Sequence, residues 1–368
     1  MQLLPALEAG GVERGTVEVA RELVRRGHRA IVVSAGGRKV RDLESAGAEH
    51  IGLPIGVKAP WTLRLVPVLR RLLLEERPDV LHLRSRMPAW IGYLAWRALP
   101  EGARPGLVTT VHGPYSVGHY SSVMTRGQRV IAISRTIREY ILSNYPQTDP
   151  AVIRLIPRGV DPAAYPPGYH PPKQWTRKWR LEQPQLAGKH VLTYPARITR
   201  WKGQEEFLHL LARLRDTGMK DFHGLIVGGA EKRRHSFLEE LKALARRLGL
   251  ERQVTFLGHR VDLKAILAIS DLSFSLTREP EAFGRTTLEA LALGTPVVGY
   301  DHGGTGEILR AIFPQGLVPL GSVESAARRV WQLRSAPRPA IGENPFTLQA
   351  MLDATLAVYR EVAPGGAG

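Results

Sequence analysis

Two carboxylates and two cations in the second half of the chain have the types and spacing to hold a polar, anionic ligand. Glu281 and Glu289 stand eight residues apart in the stretch Arg278-Glu279-Pro280-Glu281-Ala282-Phe283-Gly284-Arg285-Thr286-Thr287-Leu288-Glu289. Eight residues is a little over two helical turns, so Glu281 in a loop and Glu289 inside the following helix can lie along one line, where one ligand bridges both. The free amides of the first turn, Phe283, Gly284, Arg285 and Thr286, form the positive end of a helix dipole and suit a phosphate or a negatively polarised hydroxyl. Upstream, Arg197 and Lys202 directly follow an apolar run at residues 190–194. They project from the carboxyl end of that strand, where a guanidinium and an ammonium can clamp a diphosphate, the first bidentately and the second as a point charge. Each feature also has a plainer alternative: Glu289 as a buried structural carboxylate, Glu281 as a helix-start acid, and the two cations as solvated surface.

The elements needed to position these groups follow from the apolar periodicity. In the first half, short apolar runs at residues 3–7, 30–34, 51–53, 80–83, 107–111 and 130–133 alternate with helical patterns such as 15–26 and 61–76. The second half repeats the alternation, with strands at 190–194, 224–227, 254–257, 272–276 and 296–299 and helices at 203–214, 235–248, 263–268 and 284–292. Such βαβ alternation predicts an α/β fold of two Rossmann-like, doubly wound domains, with ligands at the carboxyl ends of the strands. Pro162, Pro166, Pro167, Pro171 and Pro172 break the pattern, and the basic aromatic stretch 175–180 follows them. The expected organisation is therefore a domain at 1–160, a Pro-rich basic linker at 161–189, a second domain at 190–344, and a final helix and tail at 345–368. The sequence begins almost inside its first strand, which is expected to be weak.

The combination Arg197…Lys202-Gly203, Phe256-Leu257-Gly258, Glu281 with Glu289, Gly294-Thr295-Pro296-Val297-Val298 and Gly303-Gly304-Thr305-Gly306-Glu307 resembles the family 4 retaining glycosyltransferases, which share the GT-B fold. The likeness extends into the first half through Gly10-Gly11-Val12-Glu13-Arg14-Gly15, Arg26-Gly27-His28, Asp79-Val80-Leu81-His82 and Val111-His112-Gly113. It covers nearly the whole chain and implies two domains facing across a cleft, the first for the acceptor and the second for a nucleotide-sugar donor, with the last helix packing back on the first.

By that resemblance, Arg197 and Lys202 neutralise the donor diphosphate, so no metal or other cofactor is expected. Glu289 matches the acid that bonds the ribose, and Glu281, with the Phe283 and Gly284 amides beside Arg285 and Thr286, matches the group holding hydroxyls of the donor sugar. Gly258, His259 and Arg260 fall where the base is recognised. Gly10 and Gly11 match the turn whose backbone approaches the diphosphate from the other domain. His112 matches a histidine facing the reacting sugar, with a hydrogen bond near the anomeric centre or acceptor. Expulsion of a nucleoside diphosphate builds negative charge on the leaving phosphate, and preorganised cations and helix amides stabilise it. No second carboxylate of a double-displacement pair is evident; the resemblance implies front-face attack, in which the leaving phosphate takes the acceptor proton. The donor is expected to be a UDP-sugar. At Arg158 the chain departs from the family, where Asn is commoner; the extra cation meets an acidic acceptor or simply solvent.

The chain of 368 residues carries 51 Lys+Arg against 34 Asp+Glu, a formal charge of +17. A field of that sign favours polyanions. The alternatives to a glycosyltransferase are a basic nucleic-acid-binding protein and a non-catalytic two-domain sugar-binding protein; basic residues are dispersed over both halves without a nucleic-acid-binding signature, so no nucleic-acid partner is expected. Zero cysteines exclude disulfides, thiolate metal sites and cysteine nucleophiles. Arg84, Arg86 and Trp90 follow the strand at 80–83 and are expected to line the acceptor side, binding an acidic glycolipid or oligosaccharide such as lipopolysaccharide core. The segment 58–72 reads as a basic amphipathic helix kinked at Pro67; its apolar side packs on the sheet, meets an anionic membrane surface, or does both. With no apolar run near the roughly 20 residues of a membrane helix and no signal-peptide pattern, the expected location is the cytoplasm, either free or peripheral to the inner face of its membrane.

Overall fold

The structure, a computed structural model, describes residues 1–8, 10–230, 235–335 and 340–365. The last three residues of the expected tail lie outside that set. The chain divides into two units, Met1–Pro157 with Gln349–Gly368, and Arg158–Leu348.

In the first unit the apolar runs become seven parallel strands: β1 Gln2–Leu3, β2 Ile31–Ser34, β3 Glu49–Gly52, β4 Val80–Leu83, β5 Gly106–Val111, β6 Arg129–Ala132 and β7 Ile153–Leu155. Their order is β3-β2-β1-β4-β5-β6-β7, so the winding reverses between β1 and β4. All six residues of β5 are buried, as expected for a parallel strand covered on both faces. β1 is only two residues long.

The second unit holds β8 His190–Pro195, β9 Phe222–Val227, β10 Val254–Gly258, β11 Leu272–Ser275, β12 Val297–Tyr300 and β13 Leu317–Val318. Their order, β10-β9-β8-β11-β12-β13, puts the reversal between β8 and β11. Phe207, Leu208 and Leu211 of helix Gln204–Asp216 pack on this sheet with Phe222, Ile226 and Phe274.

Three expectations need correction. Residues 161–189 are not a linker: they belong to the second unit, and Lys173–Glu182 is a helix within them. That helix is held because Trp179 is buried among Val191, Leu225, Val227 and Ile266. Pro67 does not kink a helix; a 3₁₀ turn Pro60–Arg64 precedes helix Leu65–Glu76, so Pro67 sits in a first turn, where its missing N–H leaves no bond unmade. The Arg84 side chain is 1% exposed and so does not line an open surface.

The final helix, Leu348–Val362, joins the first unit from Gln349 onward. His82 of β4 links it to the sheet: Nδ1 lies 2.6 Å from the Tyr359 hydroxyl and Nε2 lies 2.6 Å from Thr110 Oγ1 of β5. Glu361 pairs with Arg129 at 2.5 Å and with Arg154 at 2.7 Å. At Gly106 a Cβ would stand 2.2 Å from the Val362 carbonyl oxygen, so this close approach requires glycine.

Candidate functional site

In the second unit, the loops after β8 and β11 flank the reversal of strand order, which is where doubly wound sheets bind ligands. Lys202 lies in the short turn Arg200–Lys202 after β8, and its ammonium donates to the Glu281 carboxylate from the loop after β11. Side chains 79 positions apart thus meet, each about one-sixth exposed, at 15% and 17%. The Lys202 ammonium also stands 4.1 Å from the centre of the Trp201 ring. Arg197 is exposed in the same loop. Its carbonyl accepts a 2.7 Å bond from Gln204 Nε2 in the first turn of the next helix.

The side chains that brace these loops carry no local signal in the sequence. Buried Tyr194, at the end of β8, donates to the Lys202 carbonyl and accepts from the Leu276 amide at 3.0 Å. Burial raises its phenol pKa well above the usual range. Gly203 has φ 78°, and a Cβ there would lie 2.0 Å from the Leu276 carbonyl oxygen, which explains a glycine directly after Lys202. Buried Glu206 accepts from Arg278 Nε at 2.5 Å and from the Tyr300 hydroxyl at 3.3 Å. Gly228 is equally confined, since a Cβ would stand 1.9 Å from the Ala196 carbonyl oxygen. A glycine pair closing the apolar run at 224–227 is the signal that could have exposed this approach.

The carboxylates behave differently from each other. Glu289 is buried in helix Arg285–Ala292 and accepts from Arg285 Nε at 3.2 Å. Gly284, at φ 90°, caps that helix, and the amides of Arg285 and Thr286 lie in a first turn without intrahelical acceptors. Phe283 is buried, its ring edge-on to Phe346 at 5.9 Å. Gly303 and Gly304 open the next helix against this loop: a Cβ on Gly303 would lie 2.7 Å from the Glu281 nitrogen, and one on Gly304 2.4 Å from Phe283 Cα.

Gly258 ends β10 at φ 67°, with His259 exposed after it. Arg260 is committed elsewhere, to Asp262 at 2.8 and 2.7 Å with its guanidinium 5.5 Å from the Trp179 ring. Arg158, the first residue of the second unit, is half-buried.

In the first unit, Gly10 caps helix Gly11–Arg25 after β1. A Cβ on Gly11 would meet nothing within 4 Å, so the backbone there is open to close approach. His112 follows β5, half-buried, and its amide donates to the Tyr115 hydroxyl at 3.2 Å. Arg84 donates to Gln2 Oε1 at 2.6 Å, and burial lowers its pKa. Arg86 and Trp90 lie on helix Arg86–Arg97 in a cluster with the loop after His112. A cavity of about 620 Å³ lies at the other end of this sheet, beside Gln2, Ile31 and Val80 at the strands' amino ends, away from these groups.

Two units, each built on a parallel sheet and the second setting a lysine against a glutamate at its switch point, are the build of a GT-B glycosyltransferase, a class that takes its sugar from a nucleotide. The chain belongs to the family 4 glycosyltransferases: Glycosyltransferase Family 4 matches residues 9–164 and Glycosyl transferases group 1 matches residues 176–342. A glycosyltransferase from Rickettsia africae ESF-5 is 28% identical with a TM-score of 0.84, the match covering 98% of each chain. One subunit of the human phosphatidylinositol N-acetylglucosaminyltransferase is 25% identical over 386 residues, covering 96% of this chain and 74% of that protein. HepE of Anabaena, solved with UDP and glucose, is 22% identical with a TM-score of 0.74, over 98% of this chain and 94% of that one, and shows likeness of fold.

Proposed function

We propose that the protein transfers a sugar from a UDP-sugar, with retention of anomeric configuration and without a metal ion, to an acidic glycolipid or oligosaccharide of the cell envelope. The observation that carries this reading is the Lys202–Glu281 contact at the switch point. It puts a cation for the leaving diphosphate beside a carboxylate for hydroxyls of the sugar that departs from it. Arg197 shares the diphosphate with Lys202, and the first-turn amides at Phe283, Gly284, Arg285 and Thr286 add their dipole to growing negative charge. Glu289 takes the ribose hydroxyls, exchanging its Arg285 bond for them. The backbone at Gly258 and His259 meets the base, with Arg260 held aside by Asp262. His112 hydrogen-bonds the acceptor, and the leaving phosphate accepts the acceptor proton.

The solved complex of HepE with UDP and glucose supports UDP as the nucleotide. The name of the human relative, which pairs a glycosyl transfer with phosphatidylinositol, supports an acceptor carried on lipid. Contact with an anionic membrane draws support from helix Leu65–Glu76 and the turn before it. Leu69 and Leu73 are buried there, while Trp61 and Leu63 are exposed beside Arg64, Arg70 and Arg71. No helix among the described residues is long and apolar enough to cross a membrane.

Incubation with individual α-linked UDP-sugars and an envelope glycolipid fraction, with NMR of the new linkage, tests the reading. An α-linked product in EDTA is expected. A β-linked product, or no transfer from any UDP-sugar, would contradict it.

A further inference from the structure

The loop after His112 and the helix after β4 build a cluster that none of the donor chemistry uses. The Arg86 guanidinium lies 4.8 Å from the Tyr115 ring centre and 5.4 Å from that of Tyr120. Its Nη1 donates to two hydroxyls, Ser116 Oγ and Ser121 Oγ, both at 3.2 Å. Arg126 lies 5.1 Å from the Trp90 ring and 5.4 Å from Tyr93, with Ser122 Oγ at 3.4 Å. His119 stacks on Trp90 at 5.2 Å, and Trp90 Nε1 donates to the Tyr120 carbonyl at 2.8 Å, which ties the two halves of the cluster together.

Two features single this cluster out. Among the described residues neither Arg86 nor Arg126 has a carboxylate within 4 Å, whereas Arg26, Arg29, Arg129 and Arg154 of the same unit all do. Two guanidiniums and an imidazole thus share an aromatic shelf, and neither guanidinium is neutralised by a carboxylate among the described residues. Stacking occupies the faces of a guanidinium and leaves its edge N–H groups for an oxyanion, the geometry that favours phosphate. The shelf is also tied to the proposed acceptor histidine, because the Tyr115 hydroxyl that accepts from the His112 amide belongs to the ring under Arg86.

We propose that Arg86 and Arg126 bind a phosphate group of the acceptor, with Tyr120 and Trp90 supporting the body that carries it. The subsite deepens the proposed function and rests on it: the acceptor is a phosphorylated, hydroxyl-bearing molecule whose hydroxyl reaches His112 while its phosphate is held on the shelf. Its charge comes from a soluble phosphomonoester or from a phospholipid headgroup.

Calorimetric titration distinguishes these sources, with glucose 6-phosphate against glucose as one arm and vesicles of phosphatidylglycerol and phosphatidylcholine against phosphatidylcholine alone as the other. At least one phosphate probe is expected to bind about tenfold more tightly than its neutral control, and Arg86→Gln and Arg126→Gln each to lose about tenfold of that affinity. Arg41→Gln, which removes an exposed cation elsewhere in the unit, is expected to change it less than twofold. Equal binding of charged and neutral probes in both arms would overturn the subsite. So would a loss shared equally by Arg41→Gln, which would reduce the effect to bulk charge. UDP titration of the same proteins separates the two readings. If UDP binds while Arg86→Gln and Arg126→Gln retain full phosphate affinity, the subsite alone fails; if UDP does not bind the unaltered protein, the donor assignment fails and the phosphate result stands by itself.

Discussion

The hydroxyl of Tyr194 joins the two loops that carry Lys202 and Glu281, donating to the Lys202 carbonyl and accepting the Leu276 amide at 3.0 Å. Tyr194→Phe keeps the buried ring and removes only this joint, leaving a buried amide and carbonyl without it. A loss of about 1–3 kcal/mol in stability is expected from denaturant unfolding. Donor KM should rise about tenfold as Lys202 loses its fixed approach to Glu281, an effect that steady-state kinetics can separate from lower stability.

Glycines test the same joint from the backbone side. Gly203 and Gly218 both have positive φ, 78° and 96°, but a Cβ on Gly203 would collide with the Leu276 carbonyl oxygen at 2.0 Å, while one on Gly218 meets nothing within 4 Å. Gly218→Ala should cost about 1–2 kcal/mol, the ordinary penalty of left-handed backbone. Gly203→Ala should cost more than about 3 kcal/mol and abolish UDP binding, as unfolding curves and UDP titration would read.

Glu206 holds the other end of the Glu281 loop through Arg278. Glu206→Gln should free Arg278, raise donor KM about tenfold and alter kcat less, because the loop is loosened while the reacting groups remain. Glu206→Asp should recover part of the loss. Equal falls in kcat and kcat/KM would place Glu206 in the chemical step instead.

Acid should weaken the two units over different ranges. Burial, with Lys189 adding to it, lowers His223 from 6.5 to about 4, so its share of stability is complete above 6.5 and lost between there and about 4. Arg25, aided by Gln349 and Arg26 and opposed by burial, pulls Glu22 from 4.5 to about 2, so its share is complete above 4.5 and lost as pH falls toward 2. Each is worth up to about 3 kcal/mol across its window. Unfolding free energies measured against pH should lose the first limb in His223→Gln and the second in Glu22→Gln.

What could be read in the sequence was what is local in it. Arg197 with Lys202, and Glu281 with the helix at Gly284, each fall within one strand-loop-helix passage, so type and spacing reveal them. The braces were hidden because they join positions 72 and 82 residues apart, Glu206 to Arg278 and Tyr194 to Leu276, which no periodicity links. Arg84 departs from its expected place on the acceptor side for a related reason. Its amide continues the ladder by bonding the Leu3 carbonyl at 3.0 Å, so position 84 still behaves as strand and its side chain enters the interior beside Gln2. The helix at Lys173–Glu182 is hidden behind the prolines that precede it because its anchor, Trp179, depends on strands that come later in the chain.

Thermal unfolding with UDP in the presence of EDTA tests the proposal that Arg197 and Lys202 do the work of a metal at the donor diphosphate. A ligand that binds only the folded chain raises Tm by mass action. UDP should raise Tm strongly in EDTA, added Mg²⁺ should add nothing, and Lys202→Ala should abolish the shift. A shift that appears only when Mg²⁺ is supplied, or one that survives in Lys202→Ala, would rule out diphosphate binding by these two cations alone.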